Sequence, residues 1–173
     1  MEYLKKYISE IKDFPKEGIN FKDINPIYKH PKRWNELMLP MQKLLFDANP
    51  DYIAGIESRG FITASALAFK HQIGFIPIRK PNKLPGNIIS INYQLEYGED
   101  RLEIQESPFE KNSKIIIIDD LLATGGTASA AGKLIKEAGG LLNDVDLSVN
   151  KNIKIIASTP DINHKLLKKL DNF

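Results

Sequence analysis

One stretch of the chain, residues 114–132, constrains the fold more strongly than any other. It begins with the β-branched run Ile115–Ile118, which predicts a strand buried on both faces of a sheet. Two adjacent carboxylates, Asp119 and Asp120, follow the run, and a turn of small residues, Ala123–Thr127, leads into a helical pattern. This order of buried strand, acidic pair, glycine-rich turn and helix predicts a ligand site at the carboxyl end of a parallel strand.

The turn has the composition of a phosphate-binding site. Gly125 and Gly126 let the backbone take positive φ angles and come close to a ligand, and the N–H groups at a helix start attract an anion. Thr124 and Thr127 add hydroxyl donors, and Thr127 could also cap the helix. The acidic pair suits a vicinal diol or a hydrated magnesium ion, which prefers oxygen ligands. The alternative is an ordinary strand–helix loop, which the acidic pair directly before the turn disfavours.

Composition limits the class of protein. A chain of 173 residues, 42% hydrophobic and 27% charged, predicts one domain, residues 1–173, with a sizeable core. The net charge of +2 gives no electrostatic argument for a nucleic acid or a membrane as partner, and the lack of cysteine excludes disulfides and thiolate metal sites. No apolar run approaches the roughly 20 residues of a membrane span, and residues 1–6 lack the apolar core of a signal peptide. We therefore expect a cytoplasmic protein.

A second strand end has the same character as the first. Tyr52–Ile56 predicts a buried strand, Glu57-Ser58-Arg59-Gly60 a polar turn, and Phe61–His71 an alanine-rich helix. A tight polar loop before a helix start is again an anion site, and Arg59 can bind a phosphate through two parallel hydrogen bonds. The alternative is that Ser58 caps the helix while Arg59 is solvated.

A cationic loop follows a third strand, Phe75–Arg79. Its sequence is Lys80-Pro81-Asn82-Lys83-Leu84-Pro85-Gly86, and alone it would predict a solvated loop. Beside two phosphate-type turns it predicts a clamp for a polyanion, since ligands of open α/β sheets bind at the carboxyl ends of the strands. The implied ligand has a phosphate, a diol and a second, more charged anionic group. Phosphoribosyl pyrophosphate fits that description.

The remaining pattern completes an α/β fold, a mainly parallel twisted sheet flanked by helices. Residues 1–12 and Pro31–Phe46 have helical spacing, and Pro40 should kink the second helix or divide it into two. Asn87–Ile104 alternates like a β-hairpin, which suits a mobile cover, because a lone two-stranded hairpin is marginally stable. The apolar side of this hairpin consists of Ile89, Ile91, Tyr93, Leu102 and Ile104.

The end of the chain is predicted to add two strands and a helix. The strands are Asp144–Val149 and Ile153–Ala157, and the helix begins at Thr159-Pro160, which has the residues of a capped first turn. The three histidines have no ligand spacing with carboxylates, so we assign them no role.

The motif Asp-Asp-Leu-Leu-Ala-Thr-Gly-Gly-Thr at residues 119–127 resembles the ribose 5-phosphate signature of the type I phosphoribosyltransferases. It is most similar to the signature of the members that act on adenine. Glu-Ser-Arg-Gly-Phe resembles the pyrophosphate loop of that family, and Arg-Lys-x-x-Lys-Leu-Pro its lysine loop, although Asn82 stands where the family usually has glycine. Asn tolerates the left-handed backbone conformation better than most residues, so this departure is mild.

Two further segments resemble parts of the same family. Residues 1–30, with Asp-Phe-Pro and Phe-Lys-Asp-Ile-x-Pro, resemble its N-terminal hood, and residues 87–105, with Leu-Glu-Tyr-Gly and Leu-Glu-Ile, resemble its catalytic flap. The similarity is dense over Asp13–Gly140 and weak beyond, where the family's usual apolar strand ending in Glu-Leu is not recognisable.

The resemblance implies a role for each motif. The turn holds the 5-phosphate, the acidic pair faces the ribose hydroxyls, the two loops bind pyrophosphate, the hood holds the purine, and a flap carboxylate exchanges a proton with it. The implied catalytic residues are Glu96, Asp119 and Asp120. The implied binding residues are Ala123, Thr124, Gly125, Gly126, Thr127, Ser58, Arg59, Lys80, Lys83, Tyr97, Phe21 and Lys22. The implied cofactor is Mg²⁺, bound mainly through the substrate, with Asp119 and Asp120 as further ligands.

The implied reaction is transfer of the phosphoribosyl group from phosphoribosyl pyrophosphate to adenine, giving AMP and pyrophosphate in purine salvage. Two alternatives stay open. One is a regulator that binds the sugar phosphate without catalysis, although Glu96 and the lack of a nucleic-acid-binding extension argue against it. The other is an enzyme for another base. The resemblance also implies a homodimer with the region around Arg79 near the partner's site, and the alanines at positions 64, 66 and 68 are predicted to allow close approach of the partner.

Overall fold

The computed structural model describes residues 2–95, 98–120, 125–140 and 155–157. Contacts divide the chain into two compact units, Met1–Leu44 and Leu45–Phe173.

The first unit contains short elements at the N-terminus. A 3₁₀ helix, Glu2–Tyr7, precedes strand β1 (Ser9–Lys12), which pairs antiparallel with β2 (Asn20–Asp23). Helix α1 (Asn25–Tyr28) follows, and helix α2 (Pro31–Ala48) begins in this unit. The buried side chains of Leu4, Ile27 and Leu37 form its apolar cluster.

The prediction of a helix over residues 1–12 is wrong in its second half. Ile11 lies in β1 opposite Phe21 of β2, because the turn between the strands folds the chain back as a hairpin. The backbone N–H of Gly18, which has a φ of 83°, donates to the Asp13 carboxylate in that turn, 2.8 Å away. Cross-strand pairing therefore overrides the helical spacing of the apolar residues. Helix α2 is one element that includes Pro40, so the alternative of two short helices is also wrong.

The second unit contains the sheet. Its elements in chain order are β3 (Tyr52–Ile56), α3 (Gly60–His71), β4 (Gly74–Ile78), β5 (Ile88–Leu95), β6 (Gly98–Gln105), β7 (Ile115–Asp119), α4 (Gly126–Glu137) and β8 (Ile155–Ala157). Within the described residues, four parallel strands pair in the order β4–β3–β7–β8. The predicted α/β fold with a parallel sheet is confirmed.

The isoleucine run forms the centre of this sheet. All four side chains of Ile115–Ile118 are at most 1% exposed, as expected for a parallel strand covered on both faces. Helix α3 packs on β3 and β7, while α4 packs on β7 and on the β5–β6 hairpin. The buried side chains of α4 that join the core are Ala130, Ala131, Leu134 and Ile135.

The predicted hairpin is confirmed. Strands β5 and β6 pair antiparallel from Ile88 opposite Gln105 to Leu95 opposite Gly98. Leu102 and Ile104 are buried in the core, and the apolar side chains of β5 pack against it. The hairpin is therefore anchored by one apolar face.

The C-terminal strand Ile155–Ala157 pairs with Ile117–Asp119 and confirms the strand predicted at residues 153–157. The other predicted strand, Asp144–Val149, and the helix from Thr159 lie outside the described residues. Among the helices that the structure describes, none combines the length and apolarity needed to cross a membrane.

Helix α3 corrects one prediction about the partner surface. Ala64 and Ala68 are buried, and a Cβ built on Gly55 of β3 would lie 2.9 Å from the Ala64 Cβ. These two alanines therefore pack the helix onto its own sheet and do not face a partner. The face turned away carries Ile62 and Phe69, which are 39% and 86% exposed.

Candidate active site

Three strand ends lie at one edge of the sheet. Strands β3, β4 and β7 are adjacent and parallel, so the residues after Ile56, Ile78 and Ile118 share the carboxyl edge. The polar turn, the cationic loop and the acidic pair follow these three strands respectively. The topology thus brings together the three motifs that lie far apart in the sequence.

The acidic pair contacts the polar turn directly. The Arg59 Nε atom lies 2.8 Å from Oδ2 of Asp120, whose side chain is 3% exposed. The Asp119 carboxylate accepts a hydrogen bond of 2.9 Å from the backbone N–H of Asp120. Among the described residues, no side chain caps the start of helix α3, and Arg59 is its N-cap residue. The alternative reading, with a capping Ser58 and a solvated Arg59, is therefore wrong.

Burial changes the acidity of both carboxyl groups. Desolvation, followed by repulsion from Asp120, raises the pKa of Asp119 to about 7. Desolvation also raises the pKa of Asp120, although the Arg59 guanidinium opposes that rise. Two carboxyl groups held close together in a dry position favour a positive charge beside them, since it lowers the cost of ionising both.

Gly60 allows the close approach of the turn to the acidic pair. A Cβ built at position 60 would lie 3.0 Å from Asp119 Oδ1 and 3.0 Å from the Ile118 carbonyl oxygen. Such contacts are tighter than side chains normally make, so a Cβ at position 60 would move the first turn of α3 and the end of β7 apart by a few tenths of an ångström. The sequence prediction did not assign this residue a role.

The glycine turn begins helix α4 as predicted. Gly125 is the N-cap residue with a φ of 87°, and Gly126 is the first helical residue. Thr127 does not cap the helix, since its hydroxyl donates to the Tyr93 hydroxyl, 3.4 Å away. Ala123 and Thr124 lie outside the described residues. The described part of the turn has the helix start and left-handed glycine that a phosphate site uses.

The cationic loop, residues 80–86, and Arg79 directly before it are held by a network of hydrogen bonds. The Arg79 guanidinium donates to both oxygens of the Glu57 carboxylate, at 3.1 and 3.3 Å, and to the Lys83 carbonyl at 2.9 Å. The backbone N–H of Lys80 donates to Glu57 at 3.0 Å. Asn82 has a φ of 64°, so it adopts the left-handed conformation expected where the family has glycine.

The Lys80 ammonium group lies at the base of the hairpin. It forms an ion pair with Asp100 and a hydrogen bond of 3.1 Å with the Tyr93 hydroxyl. Desolvation opposes the charge, but the bonds with Asp100 and Tyr93 outweigh it and raise the pKa of Lys80. Because Tyr93 also accepts from Thr127, these contacts connect the cationic loop, the hairpin and the start of α4.

The remaining predicted residues belong to the first unit or lie outside the described part of the chain. In the first unit, the Phe21 ring packs edge-on against Phe14 with centroids 5.1 Å apart, and Lys22 forms an ion pair with Glu10. Glu96 and Tyr97 lie between β5 and β6, outside the described residues.

Four residues of the site were missed by the sequence prediction. They are Glu57, Tyr93, Asp100 and Glu103. Alternation placed Tyr93 on the apolar face of the hairpin but could not show that its hydroxyl reaches Lys80. Each carboxylate bonds with a residue at or near the cationic loop that is 20 or more positions away: Glu57 with Arg79, Asp100 with Lys80, and Glu103 with Asn82. Contacts at such separations leave no local signal in the sequence.

Comparison with known families agrees with the geometry. The model of the phosphoribosyl transferase domain matches residues 23–149, which is more than half of the chain. The chain therefore belongs to the phosphoribosyltransferase family.

Its relatives narrow the assignment. An adenine phosphoribosyltransferase of Prochlorococcus marinus (strain NATL1A) is 72% identical over 142 residues, which cover 82% of this chain and 83% of the relative. The solved adenine phosphoribosyltransferase of Thermoanaerobacter pseudethanolicus superimposes with a TM-score of 0.80 at 40% identity, covering 90% of this chain and 96% of that chain. The enzyme of Saccharomyces cerevisiae, complexed with an imino-altritol bisphosphate and adenine, gives 0.79 at 34% identity, covering 99% and 93%. Within the family, the chain belongs with the adenine phosphoribosyltransferases.

Proposed function

We propose that this chain transfers the 5-phosphoribosyl group from phosphoribosyl pyrophosphate to adenine at the carboxyl edge of its sheet. The observation that carries the proposal is the contact of the acidic pair with Arg59, beside the glycine turn of α4 and the cationic loop. The relatives are adenine phosphoribosyltransferases, and the yeast structure contains adenine, which supports adenine as the base.

The acidic pair is proposed to stabilise the sugar. Breaking the bond to pyrophosphate develops positive charge on the ribose ring, and fixed negative charge beside it lowers the barrier. Asp120 would act on this charge from a buried position and Asp119 from a half-buried one, where electrostatic interactions are stronger than in water. Gly125, Gly126 and Thr127, together with Ala123 and Thr124, are proposed to hold the 5-phosphate, which fits the helix start and the positive φ of Gly125.

The leaving group carries negative charge, so cations are proposed to bind it. Arg59 extends from the polar turn, with Ser58 beside it, and Lys80 and Lys83 belong to the cationic loop. In this state Lys80 is paired with Asp100 and the Lys83 carbonyl accepts from Arg79. Binding of pyrophosphate at Lys80 therefore exchanges the Asp100 partner for a more highly charged one.

Magnesium is the proposed cofactor. Among the residues that the structure describes, no group of three or more His, Cys, Asp or Glu side chains could hold a metal ion. A donor set of only two adjacent carboxylates, one of them paired with Arg59, fits an ion whose other ligands are substrate oxygens and water. Asp119 and Asp120 would hold it there, and the bound cation would neutralise charge on the pyrophosphate.

The purine and the flap complete the proposal. Phe21 and Lys22 are proposed to hold adenine through the backbone and apolar surface of β2, since the Lys22 side chain pairs with Glu10. Glu96 is proposed to exchange a proton with adenine, with Tyr97 shaping the flap around it. The flap would also exclude water, which otherwise hydrolyses the activated sugar.

We propose that the protein acts as a homodimer in the cytoplasm. The exposed Ile62 and Phe69 are seven residues apart on α3, so they lie on one helix face. Large apolar side chains at this exposure support burial against a second copy. Helix α3 begins directly after the polar turn. A second copy bound to the exposed face of α3 would therefore lie close to that turn.

Pyrophosphate release tests the function. Purified protein with phosphoribosyl pyrophosphate and Mg²⁺ should release pyrophosphate with adenine and much less with hypoxanthine, guanine, xanthine or orotate. Preference for another base would make this an enzyme of that base, and binding without release would indicate a regulator.

Asp119→Asn with Asp120→Asn should remove nearly all turnover in a folded protein, whereas Asp47→Asn, an exposed carboxylate on α2, should leave it unchanged. Near-normal turnover in the double variant would contradict the proposed ribose site.

A further inference from the structure

The cationic loop, residues 80–86, lies between two carboxylates that the proposed reaction does not use. Glu57 follows β3, and Glu103 lies in β6 of the hairpin. Both carboxylates accept hydrogen bonds from the backbone of the loop: Glu57 from Lys80 at 3.0 Å and Glu103 from Asn82 at 3.0 Å. Negative side chains beside a site for a polyanion require an explanation, since they repel the ligand.

Glu103 is the more unusual of the two because it is completely buried, with 0% exposure. Its neighbours in β6, Leu102 and Ile104, point into the apolar core, so the alternation of the strand turns Glu103 to the opposite face. A buried carboxylate is destabilising unless its charge is paired and its oxygens are hydrogen bonded. Arg101 pairs with Oε1 and the Asn82 N–H donates to Oε2, so each oxygen has a separate partner.

The same residue also holds the beginning of the loop. The Arg79 N–H donates to the Glu103 carbonyl at 2.9 Å, and the Glu103 N–H donates to the Arg79 carbonyl at 2.8 Å. Residue 103 therefore fixes the backbone at position 79 and, through its side chain, at position 82. Between these two points lies Lys80, and Lys83 follows directly.

Glu57 and Arg79 close the loop from the other side. Arg79 bridges the Glu57 carboxylate and the Lys83 carbonyl. Desolvation opposes ionisation, yet the bonds from Arg79 and from the Lys80 N–H outweigh it and lower the pKa of Glu57. Arg79 and Arg101 thus neutralise the two carboxylates that hold the loop, so the repulsion of a polyanion is offset.

We propose that Glu103 is a positioning residue that fixes the cationic loop for the pyrophosphate group. This positioning role rests on the proposed function of Lys80 and Lys83 in binding pyrophosphate. It adds to the site a residue that does not touch the substrate. A loop already held in its binding conformation loses less entropy when the ligand binds. The Glu103 side chain fixes the left-handed turn at Asn82, because it accepts the Asn82 backbone N–H at 3.0 Å.

Kinetics of four variants test the assignment. Glu103→Leu removes the acceptor, and Glu103→Asp keeps the charge on a side chain one methylene shorter. Each should raise the KM for phosphoribosyl pyrophosphate by about tenfold, as expected for loss of one hydrogen bond to a charged group, while the KM for adenine changes less than twofold. Glu103→Gln keeps an acceptor oxygen and should stay within about threefold of the wild type. Glu106→Gln, an exposed carboxylate at the end of the same hairpin, is the matched control and should change neither value.

Several results would overturn the proposal. They are an equal rise of both KM values, an unchanged KM in Glu103→Asp, or a loss in Glu103→Gln as large as in Glu103→Asp. Circular dichroism establishes folding first. If Glu103→Leu does not fold, the comparison of the Asp and Gln variants alone decides.

A second measurement separates this proposal from the proposed reaction. Calorimetry with Mg²⁺ and inorganic pyrophosphate, and amide hydrogen exchange of the peptide containing residues 80–84, need no turnover. Weaker pyrophosphate binding and faster exchange in Glu103→Asp support the positioning role even if the wild type does not use adenine. Unchanged binding and exchange, or a wild type that does not bind pyrophosphate, overturn it.

Discussion

Gly60 shows how the lack of a single methyl group can permit an active-site geometry. The first turn of α3 lies against the end of β7, where any side chain at position 60 would contact the Asp119 carboxylate and the Ile118 carbonyl. Arg59 reaches Asp120 from this position. The close contact between the first turn of α3 and the end of β7 therefore favours glycine at position 60, although alanine is the better helix former.

Gly60→Ala is expected to lower kcat/KM by roughly tenfold or more, because displacement of an aligned catalytic group by a fraction of an ångström is costly. Steady-state assays with adenine measure the effect. The matched control is Gly132→Ala in α4, where an added Cβ would meet no heavy atom within 4 Å among the described residues outside its own helix. That control should keep activity and gain stability of up to about 1 kcal/mol. Equal activities for the two variants would contradict the role of Gly60.

Glu57 is expected to contribute to the dependence of stability on pH. Its pKa is lowered in the folded protein, because the bonds from Arg79 and Lys80 outweigh desolvation. A carboxylate of this kind stabilises the native state above its unfolded pKa, and the contribution is lost as the pH falls through the folded value.

Urea unfolding of the wild type and Glu57→Gln between pH 7 and pH 3 tests this expectation. The difference in the free energy of unfolding should be largest at pH 7 and should shrink below pH 4.5, the ordinary value for glutamate. Glu110→Gln, an exposed carboxylate, is the control. A difference that does not depend on pH would show that the Glu57 charge makes no contribution.

At the scale of elements, the β5–β6 hairpin joins the parts of the site. Its apolar face is packed in the core, while its polar side chains reach the cationic loop and α4. Tyr93 connects with Lys80 and Thr127, and Asp100 pairs with Lys80. The base of the proposed flap is therefore held by contacts from both of its strands.

Glu96→Gln is expected to lower kcat by roughly 100-fold, in the range of general acid–base contributions, with a smaller change in the KM for either substrate. Single-turnover measurements separate this chemical step from product release. Glu99→Gln, an exposed neighbour that bonds with Gln94 across the hairpin, is the control and should retain full kcat. An unchanged kcat in Glu96→Gln would leave the flap as a lid without a catalytic carboxylate.

At the scale of the whole molecule, the exposed apolar face of α3 is the feature that supports the proposed homodimer. Ile62 and Phe69 present large apolar side chains there. Ala64 and Ala68 of the same helix are buried, and Ala64 packs against Gly55 of the sheet. The helix therefore has two apolar faces, and one of them is covered by the sheet of its own chain.

Light scattering of purified wild-type protein is expected to give the mass of a dimer. Phe69→Glu should shift the mass toward that of a monomer, because a charge in an apolar interface loses its hydration. Lys70→Glu places the same charge one residue along the helix, off this face, and should leave the dimer intact. A wild-type protein that is active as a monomer would contradict the dimer.

Local sequence determined the elements and the three site motifs. The isoleucine run, the glycine turn and the alternating hairpin each carry their signal within about ten residues, because burial and backbone conformation repeat with the period of the strand or helix. The central strand, the hairpin and α4 were therefore predicted closely. The prediction that the strands are parallel also placed the three motifs at one edge of the sheet.

Tertiary structure decided which partners the polar side chains have. Arg59 pairs with Asp120, 61 residues away, and Asn82 bonds with Glu103, 21 residues away. No periodicity records such pairs, since each depends on how two separate segments meet. The same reason explains why the helix predicted over residues 1–12 becomes a strand at Ile11. Local sequence therefore specified the side chains at the three strand ends, whereas the packing of distant segments pairs Asp120 with Arg59 and places Glu57 and Glu103 against the cationic loop.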